Sequence, residues 1–531
     1  MPSPGGVPRT LSSLATAVAC LLAAIPLPAR AQSLVLEGDV VTMDAAGIVR
    51  DGRVWIRDGV VQGVFTTEAE LSDATGATET KRLETGGWIF PGFVNLHTHV
   101  PFNHQPLWVA DRKFDNRYQW QADESYVRAV EYPKAILFGQ REYNLMNEQT
   151  LFAEVRALVG GTTSLLSTRD PGIYTAPGRL VRNIEYEVRD SGGIAAHVAE
   201  VDDAFIESSA PALREALDRG ELRAWVAHVA EGVDRRSRAE FDRLRRAGLV
   251  RREVVIVHGT ALDERQLEEL GAVGGHLVWA PTSNLLLYGA TADVETAMRR
   301  GVTVSLSNDW SPSGTHNLLA ELKVAAAAYA RRHGRALPAK TLVEMITVNP
   351  ARAIGWEAHA GKLAKGVDAD VVAVAKGASG NPFDDLLSAT ERDIDLVLVN
   401  GEPLFGRPDW MERFKPGDSE LLSVTGRDGR AYSKRIDVTR TAGDTTLAQA
   451  RMRLRRALRF DRQDMLEVFL DDDGKPMDTD ALEHRLEARY PGLESHELAP
   501  VFLANDTEFF SGLELGQFPF VEVLAEVYRP F

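Results

Sequence analysis

Short β-branched runs alternate with helical patterns from about residue 91 to residue 352, and this alternation constrains the fold most strongly. Seven runs are clear: "GFVNLHTH", "GTTSLLST", "GIAAHVAE", "LRAWVAHVAE", "EVVIVHG", "HLVWAP" and "GVTVSLSND". The helical stretches between them, such as "SRAEFDRLRRAG", end near a glycine, which is a common helix stop. Repeated β-α units predict a parallel sheet buried on both faces. Closing a barrel needs an eighth strand, which we expect within 201–221, although that stretch is mainly helical in pattern.

Two further segments have the alternating pattern of exposed-and-buried strands. The first covers residues 33–90 and the second covers residues 361–405. Because the second segment resembles the first, we expect both to pair into one small β domain beside the central α/β region. The predicted division is a signal peptide, a first β part, a central barrel, a second β part and a C-terminal extension of unknown role: 1–31, 32–90, 91–355, 356–438 and 439–531.

The first 31 residues have the three parts of an export signal. Arg9 is the only charged residue before an apolar run over 14–25, and Ala29-Arg30-Ala31 forms an A-x-A cleavage pattern. The run is short for a bilayer span, so we expect an exported, periplasmic or secreted protein without stable membrane insertion after cleavage. Cys20, the only cysteine, lies inside this segment, where lipid attachment is an alternative. Cleavage would leave a chain with no thiol ligand or nucleophile.

The charge balance limits the class of partner. The formal net charge is −16, and an acidic surface argues against nucleic acid, because phosphate binding needs a basic face. We therefore expect a small-molecule substrate. A homo-oligomer, with contacts through 439–531, stays open as an alternative.

The positions of the histidines point to a metal site. His97 and His99 lie in "NLHTH", His228 ends "RAWVAHVAE", and Asp309 ends "TVSLSND". In a parallel α/β barrel, the C-terminal ends of the strands converge on the active site. Three imidazoles and one carboxylate suit one divalent cation, Zn²⁺ or Fe²⁺, with a position left for water. A second "HVAE" makes His197 an alternative to His228 as a ligand.

Two more residues at strand ends suit hydrolytic chemistry. Glu231 lies three residues beyond His228, beside the predicted ion, where its carboxylate can take a proton from water and deliver it to a leaving nitrogen. His258 ends "EVVIVHG" and can orient the nucleophile or bind a developing oxyanion. Asp309 is expected both to bind the metal and to steer the nucleophile. Their alternative roles are a rim salt bridge for Glu231 and orientation of a ligand for His258.

Several residues near the predicted barrel mouth are candidates for substrate contact. Tyr118 and Trp120 belong to an aromatic-rich loop and could equally be packing residues. Arg169 could meet an anionic group or pair with Asp170. The predicted substrate-binding residues are His104, Trp108, Arg169, Trp279 and Trp310.

These elements resemble the amidohydrolase superfamily, near its cytosine, guanine and S-adenosylhomocysteine deaminases and its triazine hydrolases. The matching elements run in family order over roughly residues 33–405: "GWIFPGFVNLHTHVPFN", "GGTTSLLS", "HVAEG", "VIVHGTAL", "VWAPTSNLLLYG", "SLSNDWSPSG", "VNPARAIGW" and "GKLAKGVDADVVAV". The resemblance implies a distorted (β/α)8 TIM barrel flanked by a β-sandwich built from both ends of the catalytic region. The C-terminal extension has no family counterpart.

The resemblance also implies roles for individual residues. His97, His99, His228 and Asp309 would bind the metal, Glu231 would be the proton shuttle, and His258 would orient the hydroxide. No lysine suited to bridging two metals is evident on the middle strands, which favours one metal. Many family deaminases have a histidine where this chain has Trp279, so Trp279 is expected to border the substrate and to disfavour a nucleobase.

The sequence therefore predicts hydrolysis of a non-peptide C–N bond by a metal-activated water, of the deaminase or cyclic amidase type. Displacement of chloride from a triazine-like ring uses the same machinery and is one alternative. A small-molecule binding protein that has kept the barrel without catalysis is another, and stoichiometric metal would argue against it.

Overall fold

The structure is a computed structural model of the 531-residue chain. It describes residues 33–108, 110–138, 145–167, 180–190, 192–425, 430–441, 445–459, 475 and 477–498. The predicted signal peptide and Arg169 lie outside these residues. None of the described helices is both long enough and apolar enough to cross a bilayer.

Eight parallel strands, which follow one another in chain order, form the central region. A three-stranded sheet contains β5, β6 and β7, and a five-stranded sheet runs from β8 to β12. An isolated parallel bridge between Thr98 and Asp309 joins β5 to the chain just after β12. The strands are β5 (Phe93–Thr98), β6 (Thr162–Ser167), β7 (Arg182–Asn183), β8 (Gly193–His197), β9 (Leu222–Val229), β10 (Val254–His258), β11 (His276–Trp279) and β12 (Thr303–Leu306).

The prediction of a strand within 201–221 is wrong. Those residues form two helices, Asp203–Ser208 and Ala210–Asp218. The eighth strand is β7, which lies earlier in the chain and pairs with β6 through Arg182 and Asn183. Two polar residues are too few to show a strand period, so the pattern of the sequence could not reveal this element.

Both ends of the catalytic region pair into one nine-stranded sheet, in the order β16-β17-β15-β14-β13-β4-β1-β2-β3. The two halves meet where β13 runs antiparallel to β4. Residues of both halves share one apolar core, which is the sandwich expected from the sequence. The exact domain boundaries stay a prediction. The strands are β1 (Ser33–Val41), β2 (Ile48–Arg57), β3 (Val60–Phe65), β4 (Lys81–Pro91), β13 (Val371–Val374), β14 (Ile394–Val399), β15 (Glu402–Gly406), β16 (Glu420–Thr425) and β17 (Ala431–Ile436).

The helices surround the parallel strands and cover their ends. Most begin with a side-chain cap; for example, Asp234 accepts from the backbone N–H of Ser237. The described α-helices are Glu68–Thr75, Arg117–Gln121, Glu124–Tyr126, Tyr132–Phe138, Met146–Val159, Asp203–Ser208, Ala210–Asp218, Arg235–Arg246, Glu264–Ala272, Pro281–Tyr288, Val294–Arg299, Leu318–His333, Ala339–Glu344, Val348–Ala353, Pro382–Ser388, Pro408–Phe414, Leu447–Leu458 and Thr479–Arg489.

Alternation along β9 and β11 separates two apolar clusters. Val226 and Val278 belong to a cluster shared with Leu96. Trp225 and Leu277, one position away on the same strands, belong to a second cluster, which includes Phe241 and Leu244 of a surrounding helix. Neighbouring side chains on these two strands therefore point to opposite faces of the sheet.

Chain between β5 and β6 rises over the site and carries buried aromatic side chains. We call this cluster, completed by Tyr288 at the end of a later helix and by Trp310 after β12, the aromatic cover. Its members are Phe102, Trp108, Phe114, Trp120, Tyr126, Tyr288 and Trp310.

The C-terminal extension packs onto the same region of the molecule. Helix Leu447–Leu458 lies against helix Met146–Val159, with an ion pair of 2.6 Å between Arg453 and Glu148. Leu482 and Tyr490 form a small apolar cluster with Ile136, in the helix that follows the cover. The described part of the extension thus packs against two helices of the chain between β5 and β6.

Candidate metal centre

Five side chains from four strand ends converge at one rim of the parallel strands. His97 Nε2 lies 2.9 Å from Asp309 Oδ1, and His99 Nε2 lies 3.3 Å from the same oxygen. The ring of His228 is 4.5 Å from the ring of His97, and that of His258 is 5.3 Å away. Two overlapping sets, each with donor atoms within 4.8 Å of one another, share His97. The structure therefore brings together all four residues predicted as ligands, with His258 beside them.

Hydrogen bonds on the far side of two rings fix the nitrogens that face the centre. His228 Nδ1 lies 3.1 Å from the carbonyl oxygen of His197, so it carries the proton and leaves the Nε2 lone pair free. His258 Nδ1 in turn donates to Asn284 Oδ1 at 2.9 Å, which leaves its Nε2 on the side of Glu231.

Burial sets the charge state of the donors. Loss of water lowers the pKa of His97 to about 4, although Asp309 favours the cation. Burial and the neighbouring histidines lower the pKa of His228 well below its usual value. For Asp309, burial opposes ionisation, but His97 and His99 outweigh it and hold the pKa of the carboxyl well below its usual range. Neutral imidazoles beside a carboxylate are the protonation states that bind a metal.

The turns that present these groups use an uncommon backbone conformation. Ala230, His258 and Asp309 have φ values of 58°, 68° and 56°, in the left-handed region that non-glycine residues rarely adopt. Each follows or ends a barrel strand, and such conformations concentrate at functional sites. The conformation at His258 turns its ring toward the centre rather than the helices.

The donor set fits a divalent cation. Within the part of the chain that the structure describes, His97 Nδ1 is buried without a hydrogen-bond partner, and its Nε2 is bonded to Asp309 alone. A buried imidazole that makes so few hydrogen bonds fits the role of a metal ligand. Three imidazoles and one carboxylate match the ligands of zinc or ferrous iron.

Glu231 is buried beside this donor set, and each of its carboxylate oxygens has different neighbours. The Tyr288 hydroxyl donates to Oε1 at 2.7 Å, and the Trp120 indole N–H donates to the Tyr288 oxygen at 2.7 Å. Oε2 lies 3.7 Å from His258 Nε2 and 3.6 Å from Arg117 Nη1. Oε1 is thereby fixed while Oε2 faces the histidines.

The sequence did not single out Arg117, Tyr288 or Asn284. Arg117 contacts the Val198 carbonyl as well as Glu231, and its backbone N–H donates to the Glu231 carbonyl at 3.3 Å. Asn284 and Tyr288 lie in "PTSNLLLYG", so only that motif signalled them, without their roles. Arg117 lies between the aromatic residues Phe114 and Tyr118, and no spacing pattern in the sequence pointed to it.

Trp310 is the predicted substrate residue that lies against the centre. Its ring is 5.4 Å from that of His99 and contacts Phe102 and Trp120 within the aromatic cover. Trp108 belongs to the same cover and is 5.4 Å from Tyr126. Together these rings form an apolar aromatic cluster, and Trp310 brings it against the donor set.

His104 and Tyr118 have different surroundings. His104 is fully buried, and burial lowers its pKa to about 3. Among the described residues, neither of its ring nitrogens has a hydrogen-bond partner. The Tyr118 hydroxyl bonds Glu240, whose other oxygen accepts from the Ala230 N–H at 2.7 Å. Tyr118 therefore supports the turn between His228 and Glu231.

Trp279 is buried in the same apolar cluster as Leu277, two positions earlier on β11, and its indole donates to the Thr291 hydroxyl at 2.6 Å. Its contact with substrate stays a prediction, and so does the argument that it gave against a nucleobase. The side chain of His197 packs on Phe205 and Trp225, so this residue serves His228 through its carbonyl.

Comparison with known proteins identifies the same family. Residues 194–404 match the Amidohydrolase family. The 5-methylthioadenosine/S-adenosylhomocysteine deaminase of Syntrophobacter fumaroxidans is 28% identical over 65% of this chain and 85% of its own.

Two solved structures share the fold. A zinc-bound adenosine deaminase from Xanthomonas campestris has a TM-score of 0.59 and 20% identity, over 80% of this chain and 98% of its own. Atrazine chlorohydrolase from Arthrobacter aurescens, complexed with zinc, has a TM-score of 0.56 and 17% identity, over 70% and 95%. The strand-end donors, the match of residues 194–404 to the Amidohydrolase family and the shared fold all agree with the resemblance of this chain to the amidohydrolase superfamily.

Proposed function

We propose that this protein is a zinc-dependent deaminase that replaces the amino group of an aminated heterocycle by an oxygen from water and releases ammonia. The observation that carries the proposal is the convergence of His97, His99, His228 and Asp309 beside Glu231. Support for the substrate class comes from the deaminase activity named for the Syntrophobacter relative.

The four ligands would hold one cation. When bound, the cation acts as a Lewis acid and lowers the pKa of water toward roughly 7 to 9. Three imidazoles with one carboxylate suit either zinc or ferrous iron, and zinc is favoured by the zinc-bound structures that share the fold.

Glu231 is the proton carrier in this account. Its Oε2, directed to the donor side, accepts a proton from the attacking water and passes it to the departing nitrogen. His258 Nε2, with Nδ1 occupied by Asn284, accepts a hydrogen bond from the same water and orients it. Asp309, ionised in this site, steers the water from the opposite side.

The aromatic cover suits a planar substrate. Trp310 lies edge to face with Phe102 and places an indole next to His99. An aromatic wall beside the reacting centre can stack on a heterocycle and hold its amino carbon near the nucleophile.

Ammonia release tests the proposal. Zinc-loaded protein should release ammonia from at least one of adenosine, 5′-methylthioadenosine, S-adenosylhomocysteine and guanine, with one product per ammonia. Glu231→Gln should keep the metal and lose roughly 10² to 10⁴-fold in kcat. Cleavage of cyclic amides alone would replace the deaminase assignment by an amidase. Chloride release from a chlorotriazine would indicate the chlorohydrolase reaction, and binding without turnover would indicate a binding protein.

We also propose that the mature protein is exported. The charge, apolar run and A-x-A pattern of residues 1–31 support this. The intact mass of the secreted or periplasmic protein should correspond to a chain that begins at residue 32. A full-length chain found in the cytosol would contradict the proposal.

A further inference from the structure

A small internal cavity lies behind the loops that carry the metal ligands. It has room for about one water-sized particle. Its polar walls include Asn95, Thr98, Asn103, Arg156, Asn308 and His316. The proposed reaction uses none of these side chains.

Arg156 gives this cavity an unusual charge. The residue is 5% exposed, and no carboxylate lies within 4.0 Å of its guanidinium in the described part of the chain. Its Nη1 donates to the Asn103 carbonyl at 2.5 Å, and its Nε has no hydrogen-bond partner among the described residues. A buried cation normally has a counter-charge, because removing it from water is costly.

The nearest candidates for a counter-charge are already engaged or weak. The Glu391 carboxylate bonds His316 Nε2 at 2.7 Å and Asn317 Nδ2 at 2.6 Å, so it reaches Arg156 only at longer range. The end of helix Met146–Val159 supplies only a partial negative charge. Although burial lowers the pKa of Arg156 to about 10, the guanidinium stays charged at neutral pH.

We infer that this cavity binds a small monovalent anion of the halide class, such as chloride, against the free Nε–H of Arg156. A neutral water fills the space but leaves the positive charge uncompensated. Phosphate and sulfate are too large for a cavity of this size. The hydroxyl and amide groups along the walls can add hydrogen bonds to the ion.

An ion at this position would stiffen the loops of the metal centre. Thr98 lies between His97 and His99 and accepts a hydrogen bond from Asn103 at 2.7 Å. Asn95 accepts from the His97 backbone N–H at 3.1 Å and donates to Asn308, which precedes Asp309, at 2.6 Å. The anion site therefore supports the donors from behind and does not depend on the deaminase assignment.

Bromide soaking of crystals of the full chain tests the inference directly. The anomalous map at the bromine edge should show a peak beside Arg156 Nε. The melting temperature should also rise with chloride by about 2 °C or more over gluconate at equal ionic strength, and the rise should saturate. Arg156→Gln should abolish the chloride response, whereas Arg246→Gln, at an exposed residue, should keep it.

Three results would overturn the inference. These are a bromide map with no peak in the cavity, a saturable chloride response that survives in Arg156→Gln, and equal melting temperatures in chloride and gluconate. If Arg156→Gln does not fold, the bromide map of the unsubstituted protein decides alone. This test does not measure ammonia release. Failure of the anion inference can therefore be distinguished from failure of the proposed function.

Discussion

Residues that do not bind the metal decide how Glu231 presents its two oxygens. The Trp120 indole donates to Tyr288, and Tyr288 donates to Oε1, so a chain of two hydrogen bonds runs from the aromatic cover to the proposed proton carrier. Both bonds are buried, where a hydrogen bond to a charged group contributes more than one exposed to water. Tyr288 is thus a positioning residue for the reaction.

Tyr288→Phe removes the bond to Oε1 without emptying the space. A hydrogen bond to a charged group contributes about 1.5 to 3 kcal/mol, so kcat should fall roughly 10 to 100-fold. KM and zinc content should stay within about twofold, since the ring and the ligands remain. Steady-state kinetics with metal analysis checks this. Tyr329→Phe, at a buried tyrosine beside His333, is the matched control and should leave kcat unchanged. An unchanged kcat in Tyr288→Phe would remove the positioning role.

Glu240 predicts a pH dependence of stability. Burial raises the pKa of its carboxyl to about 7 from 4.5, although the Tyr118 hydroxyl opposes the rise. The folded state therefore holds a proton that the unfolded state releases, and this group's contribution to stability is lost as pH rises from about 4.5 to 7. The loss amounts to about 3 kcal/mol. Urea unfolding at several pH values should show a shallower fall over that range in Glu240→Gln than in the unsubstituted protein. Parallel curves for the two proteins would contradict it.

The sequence reveals a site residue only when that residue stands in a recognisable local pattern. The ligands stand at the ends of apolar runs, so pattern alone located them. Trp279 stands at such an end too, and its side chain packs in the same apolar cluster as Leu277 and donates to Thr291. The left-handed conformations at His258 and Asp309, which aim two side chains at the centre, have no local signature in non-glycine residues. Arg117 acts through a contact across the barrel mouth that spacing cannot show.

Among the elements, helix Leu447–Leu458 belongs to the C-terminal extension, for which the resemblance gave no expectation. Its buried face contacts the helix that carries Arg156 and Glu148. Leu454 is fully buried, whereas Met452, two residues away, is 53% exposed. The run "TLAQARMRLRRALR" has a basic helical pattern, but the sequence does not indicate the partner of this helix, because contacts between distant segments leave no local pattern.

Leu454→Ala should therefore lower the free energy of unfolding by about 2 to 5 kcal/mol, as expected when a buried leucine leaves a cavity. Amide hydrogen exchange should accelerate in helix Met146–Val159, against which it packs. Met452→Ala is the control and should change stability by no more than about 0.5 kcal/mol. Equal stabilities of the two variants would show that the extension does not stabilise helix Met146–Val159.

The strands illustrate the same division between local and distant information. The long β-branched runs were evident, and the pairing of the two terminal β segments followed from their similar patterns. The sequence did not predict strand β7, because tertiary contacts hold its two residues, Arg182 and Asn183. Arg182 forms ion pairs with Asp368 and Asp370 from the second β segment. A strand defined by such contacts cannot be read from its own residues.

At the scale of the whole molecule, distant parts of the chain close around one centre. The parallel strands supply the ligands, the loop after β5 supplies the aromatic cover, and the extension packs behind it. The bridge between Thr98 and Asp309 joins the first and last barrel strands at the ligands themselves. Metal binding should therefore stabilise the closed arrangement as a unit, since the ion links residues more than 200 positions apart in sequence.

The central claim is that one divalent cation lies among His97, His99, His228 and Asp309. Anomalous diffraction from crystals of the purified protein, collected on both sides of the zinc edge, locates and identifies the ion in one measurement. The account predicts a single zinc peak within bonding distance, about 2.0 to 2.2 Å, of these four side chains. A peak elsewhere, or ordered side chains there with no metal after growth in excess zinc, would contradict it.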